Sequence, residues 1–370
     1  MKKERKDTIF PFLSTVFLRT IFLKILTGDY IIFADRRSDF LCNFAPSFSP
    51  MLYLLNKNTT IQLIISAFLL AWSGFCIFTG LSVAPPDGHP FLYGDIYPFL
   101  SQHLVFSRTL AMALLVLEAI FLQRFFAVNR FSENKTAMPI LFFGGMMIVG
   151  HQLTLLSPAN FTMFALTLIM LINTNVVNDF PLKNRIFISG IIIGIASLID
   201  INALWILLFL TLAVLTNRFS RMKDVIILLS GLLFIAVYLF TYGYLTDMLP
   251  QLLASYKKVD FFGFIEHARE MRVIDWVSTA MLLATSIYMI VVLKLYYDNK
   301  LIVLRNRFMT TVFLWLTMLV AGFFSCYDMQ GGRIYIFVPV VLLYSMLCLV
   351  KSRRIFHDIL IAAMFVLLWF

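Results

Sequence analysis

Between Pro85 and His103 the chain reads PPDGHPFLYGDIYPFLSQH, which carries Asp87, His89, Asp95 and His103 but no lysine or arginine. Two carboxylates and two imidazoles in a stretch stripped of cations could transfer protons. A carboxylate there can take the proton of an incoming hydroxyl as a general base. Asp95, in YGDIYPF, is the first candidate for that role and Asp87 the second. Each also has a plainer reading. Asp95 could cap a helix or be a solvated acid near its start, and Asp87, beside Gly88, could be a turn residue. The same side chains could ligate a divalent ion, but no HxH, HExxH or DxD spacing occurs, so neither a metal nor a cofactor is expected.

The candidates for substrate binding are scattered. Arg108 lies inside the next apolar run, with Asp95 or Asp87 as its expected partner. It either snorkels to the interface or clamps a phosphate, whose geometry a guanidinium matches bidentately. Lys257 and Lys258, in ASYKKVDFFGFIEHAREMRVIDW, either hold a phosphate or anchor an interfacial helix to headgroups. His151, just ahead of Ser157-Pro158, is either a binding residue or a core histidine. Asp200, in SLIDIN, is expected at a polar tip with Asn202. Arg333 and Asp328 flank MQGG, where Gly331-Gly332 permits close backbone approach to a ligand; an Asp–Arg pair closing a tight turn is the alternative. Glu118 is placed near the inner headgroups.

The elements that must position these residues follow from composition. Apolar residues make up 61% of the 370, charged ones 14%, and the mean hydropathy is +0.88. A soluble domain is about 45–50% apolar and about 25% charged. Repeated long apolar runs therefore point to lipid as the solvent. The net charge of +10 is that of a membrane protein with basic inner loops. No basic stripe interleaved with aromatics lies outside the apolar segments, so no nucleic-acid partner is expected. The four cysteines fit neither a zinc site nor a disulfide framework.

The fold class expected is all-α: a polytopic transmembrane helix bundle of about eleven spans, N-terminus cytoplasmic. The spans fall near 59–81, 100–123, 138–156, 160–178, 186–200, 201–216, 224–244, 275–297, 308–326, 334–350 and 355–370. With that alternation, 24 of the 30 Lys and Arg residues lie on the inner side. Pro85–His103 becomes the first outer loop, and insertion bias explains its missing cations. The run Ile186–Leu215 is read as a hairpin broken at SLIDIN, because one helix would leave Arg185 and Arg218 on opposite sides. Residues 51–370 form a single integral membrane domain. Residues 1–50 lack helical or strand period and read as a poorly ordered extension or a mis-assigned start. The first span is expected to act as an uncleaved signal anchor.

IFISGIIIGIASLIDINALWILLFLTLAVLTNRFSRMKDVIILLSGLL (Ile186–Leu233) and YGYLTDMLPQLL (Tyr242–Leu253) resemble a family of multi-pass membrane proteins from Bacteroidetes. That resemblance covers nearly all of 51–350 and implies a bacterial inner membrane, with no activity attached. More distantly, the chain resembles the C-type membrane glycosyltransferases, which use lipid-phosphate sugars. The likeness rests on the acidic first outer loop, on LLSPANFTMFALTLIML (Leu155–Leu171) as an outer turn entering a helix, and on GIIIGIASL (Gly190–Leu198) as a small-residue helix. It implies a polyprenyl-phosphate-linked sugar as partner beside membrane lipid, with a first-loop carboxylate as base. The close acidic pair of that fold is missing, since Asp87 and Asp95 lie eight apart. The alternatives are a structural or accessory subunit of an envelope assembly, and a lipid or small-molecule transporter. A transporter calls for deep polar positions and internal symmetry, of which the sequence offers little.

Overall fold

The computed structural model describes residues 59–83, 91–131, 136–149, 155–173, 182–216, 222–257, 273–298, 302–323 and 329–348. All of them belong to one compact unit, Phe48–Phe370. The extension expected over 1–50 and the last expected span, 355–370, lie outside the described residues.

Helices account for nearly all of this structure. They are α1 (Thr59–Gly80), α2 (Phe91–Gln102), α3 (Leu104–Val128), α4 (Met138–Val149), α5 (Pro158–Asn173) and α6 (Leu182–Ile199). There follow α7 (Leu204–Thr216), α8 (Met222–Leu245), α9 (Leu249–Lys257), α10 (Val273–Tyr297), α11 (Ile302–Phe323) and α12 (Met329–Leu347). One parallel ladder, two residues on each side, joins β1 (Ser82–Val83) to β2 (Leu155–Leu156). Among the described residues five helices are long and apolar enough to cross a bilayer: α1, α3, α8, α11 and the Trp276–Tyr297 part of α10. Shorter apolar helices, including α4, α5, α7 and most of α12, lie among them. Their outward faces carry large apolar side chains, such as Ile64, Phe68 and Leu233, each more than 60% exposed. Such a surface suits lipid and not water. The chain is built as a multi-pass helical membrane protein.

α12 is the axis of the packing. It touches α3, α4, α5, α10 and α11, and Ile334–Leu347 is buried on every face. A helix enclosed all round must be apolar all round, as IYIFVPVVLLYSML nearly is. Pro339 removes one backbone donor inside it, which a helix surrounded by other helices tolerates. MQGG, expected as a loop, forms the first turn of this helix instead.

The most extensive helix pair is α6 with α8, and glycine creates it. A Cβ on Gly190 would stand 2.3 Å from the Leu228 carbonyl oxygen; one on Gly231 would stand 2.3 Å from that of Phe187. The two backbones touch, as small residues allow between membrane helices. Gly190 faces Gly231 and Gly194 faces Ile235, so the numbers rise together and α6 runs parallel to α8. That is possible only if α7 runs back between them. The break expected at SLIDIN is therefore present, and 186–215 is not one long helix.

Polar contacts gather at two ends of the bundle. At one end, Gln62 Oε1 accepts from Thr136 Oγ1 (3.1 Å) and the Ala137 N–H (2.6 Å). There too Gln123 donates to the Thr136 carbonyl, and Arg307 donates to that of Asn129 (2.5 Å). At the other end lie the β1–β2 ladder, α2, α9 and the turn at Asp200. Helices α1, α3 and α5 each run from one end to the other.

Adding a methyl-bearing side chain at the α6–α8 contact forces backbone apart. Gly190→Val or Gly231→Val is expected to cost at least about 1–3 kcal/mol, seen as a lower melting temperature in detergent. Gly94→Ala, where nothing lies within 4 Å, is the control and is expected to be neutral or slightly stabilising.

Candidate functional site

Asp200 is the best-defined polar centre. The helical bonding of α6 continues to its N–H, which donates to Ala196 O at 2.9 Å. Its side chain then caps the short 3-10 turn Ile201–Ala203, an ordinary use of aspartate. Its position is not ordinary, because it is only 1% exposed. Oδ1 accepts from the Asn202 N–H (3.0 Å) and from Asn202 Nδ2 (3.1 Å). Oδ2 accepts from Thr162 Oγ1 on α5 (2.5 Å) and from Tyr335 Oη on α12 (2.6 Å). A carboxylate has about four acceptor positions, and here all are filled by the chain's own donors. No cation reaches it among the described residues. Asp200 thus ties α5, the α6–α7 turn and α12 together. The side-chain oxygen of its neighbour Asn202 is buried without a partner among the described residues.

Asp95 is placed differently. The segment expected as a loop before the second span is the helix α2, and that span starts at Leu104 and not near residue 100. The surprise is helix formation across Gly94 and Pro98. Tyr93 and Leu100, one helical repeat of seven apart, bury one face of α2 and explain it. Burial, and then the neighbouring Tyr97, push the Tyr93 phenol pKa up. Asp95 lies on the exposed part of α2. A break at His103 separates α2 from α3, and Ser107 Oγ bridges it by donating to Leu100 O at 2.6 Å.

Arg108, one turn into α3, is half-buried, and its Nε is buried without a hydrogen-bond partner among the described residues. The expected Asp95–Arg108 pair is not formed; neither residue has an ion-pair partner among the described residues. α2 nevertheless packs directly against α3 and α9, so the elements bearing Asp95, Arg108 and Lys257 are neighbours. Lys257 is the last residue of α9, and Arg333 lies in the first turns of α12, close in sequence to Tyr335. Asp87, His89, His151 and Lys258 lie outside the described residues. Among the described residues no group of three or more His, Cys, Asp or Glu gathers as a metal site would require.

Thr162 and Tyr335 are partners of Asp200 that the sequence did not disclose. The only available signal was Asp200 itself: an acid inside an apolar run must find donors. Which donors depends on helices 38 and 135 residues away.

Comparison with known proteins adds no relative: no protein-family model, no curated protein and no solved structure matches the chain.

Thr162→Val and Tyr335→Phe each leave one donor on Oδ2, so each is expected to cost about 0.5–2 kcal/mol of stability. Together they strip that oxygen of both donors. The double variant should therefore lose more than the sum, by about 0.5 kcal/mol or more in reversible unfolding in micelles.

Proposed function

We propose that the chain is an inner-membrane protein of about eleven spans, N-terminus cytoplasmic, acting as a glycosyltransferase-like enzyme at the outer face. Its donor in this reading is a polyprenyl-phosphate-linked sugar. Asp95 takes the proton of an acceptor hydroxyl as that oxygen bonds to the sugar's anomeric carbon. The polyprenyl phosphate leaves with the electron pair of the broken bond. Arg108, Lys257 and Lys258 meet the phosphate charge, for which a guanidinium is well shaped. The observation that carries this reading is the packing of α2 against α3 and α9. It gathers an exposed carboxylate, without an ion-pair partner among the described residues, with the segments that bear Arg108, whose buried Nε has no hydrogen-bond partner among them, and Lys257. The likeness to C-type glycosyltransferases points the same way. In this reading Asp200 does not touch substrate; it fixes the helices beneath the site.

A second reading, an accessory subunit of an envelope assembly, is favoured by α8. Beyond its seam with α6, that helix bares Ile226, Leu233, Phe234, Val237, Tyr238 and Phe240, each more than half exposed. A partner helix could cover that face as well as lipid does.

Complementation of a chromosomal deletion separates the two at matched membrane abundance. The enzymatic reading expects Asp95→Asn and Arg108→Gln to fail, with a loss of turnover of about 10²–10⁴-fold for the base. Full complementation by both variants, with failure of a Val237→Trp variant, supports the subunit instead.

A further inference from the structure

Glu118 is a buried acid that the reading above leaves unused. It lies near the middle of α3, on the face formed by Leu114, Leu115, Ala119 and Leu122, and is only 3% exposed. Its side chain is therefore enclosed by the bundle. Its Oε1 is buried without a hydrogen-bond partner among the described residues.

Glu118 has no ion-pair partner among the described residues. The elements packed against α3 are α1, α2, α4, α5 and α12. α1, α4 and α5 contain no Asp, Glu, Lys, Arg or His, and Cys76 on α1 is their one titratable group. α2 brings Tyr93, Asp95 and Tyr97, of which Asp95 is exposed at the Asp200 end. α12 brings Arg333, Tyr335 and Tyr344; Arg333 is in its first turns and Tyr335 is bonded to Asp200. On α3 itself, Arg108 is about 15 Å away along the axis at about 1.5 Å per residue. Arg124 is exposed.

An ionised carboxylate taken from water without a partner costs several kcal/mol, so this group needs a positive ligand of its own. A hard metal cation requires about six oxygen ligands. The helical carbonyls around Glu118 are engaged in their own helices, and no group of three or more His, Cys, Asp or Glu gathers among the described residues. A proton needs no such shell.

We infer that Glu118 is a proton-binding site in the interior of the bundle: a carboxyl that takes up and releases one proton instead of an ion-paired structural acid. This stands independently of the glycosyltransferase reading. It gives the bundle the group needed to couple proton uptake to movement of a solute or lipid.

The test uses the full chain in lipid nanodiscs. Infrared spectroscopy should show a protonated carboxylic-acid carbonyl band that Glu118→Gln removes and Glu118→Asp keeps at a shifted position. The wild-type protein is tested in parallel with dicyclohexylcarbodiimide, a hydrophobic reagent for protonated carboxyls. The acid proton moves to a carbodiimide nitrogen, the carboxyl oxygen bonds to the central carbon, and acyl shift leaves an N-acylurea that mass spectrometry locates. Labelling at Glu118 in mildly acidic buffer, fading in alkaline buffer, is the expected result. No label at Glu118 in mildly acidic buffer, or no band lost in Glu118→Gln, overturns the proposal. So does a band that vanishes at fixed pH on adding sodium or potassium chloride, which would mark a metal-cation site.

Discussion

A carboxylate placed inside an apolar run has to find hydrogen-bond donors, and Asp200 shows what that requirement imposes. It is buried and no cation reaches it among the described residues, and the chain's own donors fill all its acceptor positions. Two come from its own turn. The other two come from α5 and α12, which must stand at one height and one rotation for Thr162 and Tyr335 to share a single oxygen. The same turn ends α6 and sends α7 back, which in turn lets α8 run parallel to α6 and close the glycine seam at Gly190 and Gly231. Within the membrane hydrophobicity does not drive helices together, so such polar ties and close backbone contacts set the arrangement.

The bundle separates two kinds of polar group. At the Gln62 end, side chains bridge helix termini to the connecting segment before α4, and at the Asp200 turn the carboxylate is fully satisfied. These contacts hold the fold. Asp95 and Arg108 are the opposite case: one exposed, the other with a buried nitrogen lacking a partner among the described residues, on adjoining elements. Glu118 is a third case, buried with an oxygen that has no hydrogen-bond partner among the described residues. Groups that spend their hydrogen-bonding capacity on the fold are poor reagents, and groups that retain it are available to a ligand.

Much of the architecture could be read from the residues. The apolar runs marked α1, α8 and α10 closely, and α11 except for its first six residues, because a span needs about 20 apolar residues and little else. The break at SLIDIN was readable because Asp200 and Asn202 interrupt a run too long for one crossing. α2 was not readable as a helix: Gly94 and Pro98 are loop signals, overridden by burial of Tyr93 and Leu100. The opening of α12 was hidden for the same reason, since MQGG favours a turn until the helix behind it is seen to be enclosed on every side. Of the site, the sequence exposed the acids and the cations singly. It could not pair Asp200 with Thr162 and Tyr335, nor show that Asp95 and Arg108 stay apart, because these facts depend on tertiary packing.

The account rests on Asp200 as the tie between α5, the α6–α7 turn and α12. Hydrogen–deuterium exchange of the protein in nanodiscs, comparing wild type with Asp200→Ala, tests it most directly. The amides of Ile201–Leu204 and of the Tyr335 turn of α12 should be protected in the wild type and should lose protection together in the variant, while the Gln62 end remains unchanged. Unaltered exchange at both places in a folded Asp200→Ala protein would contradict the account.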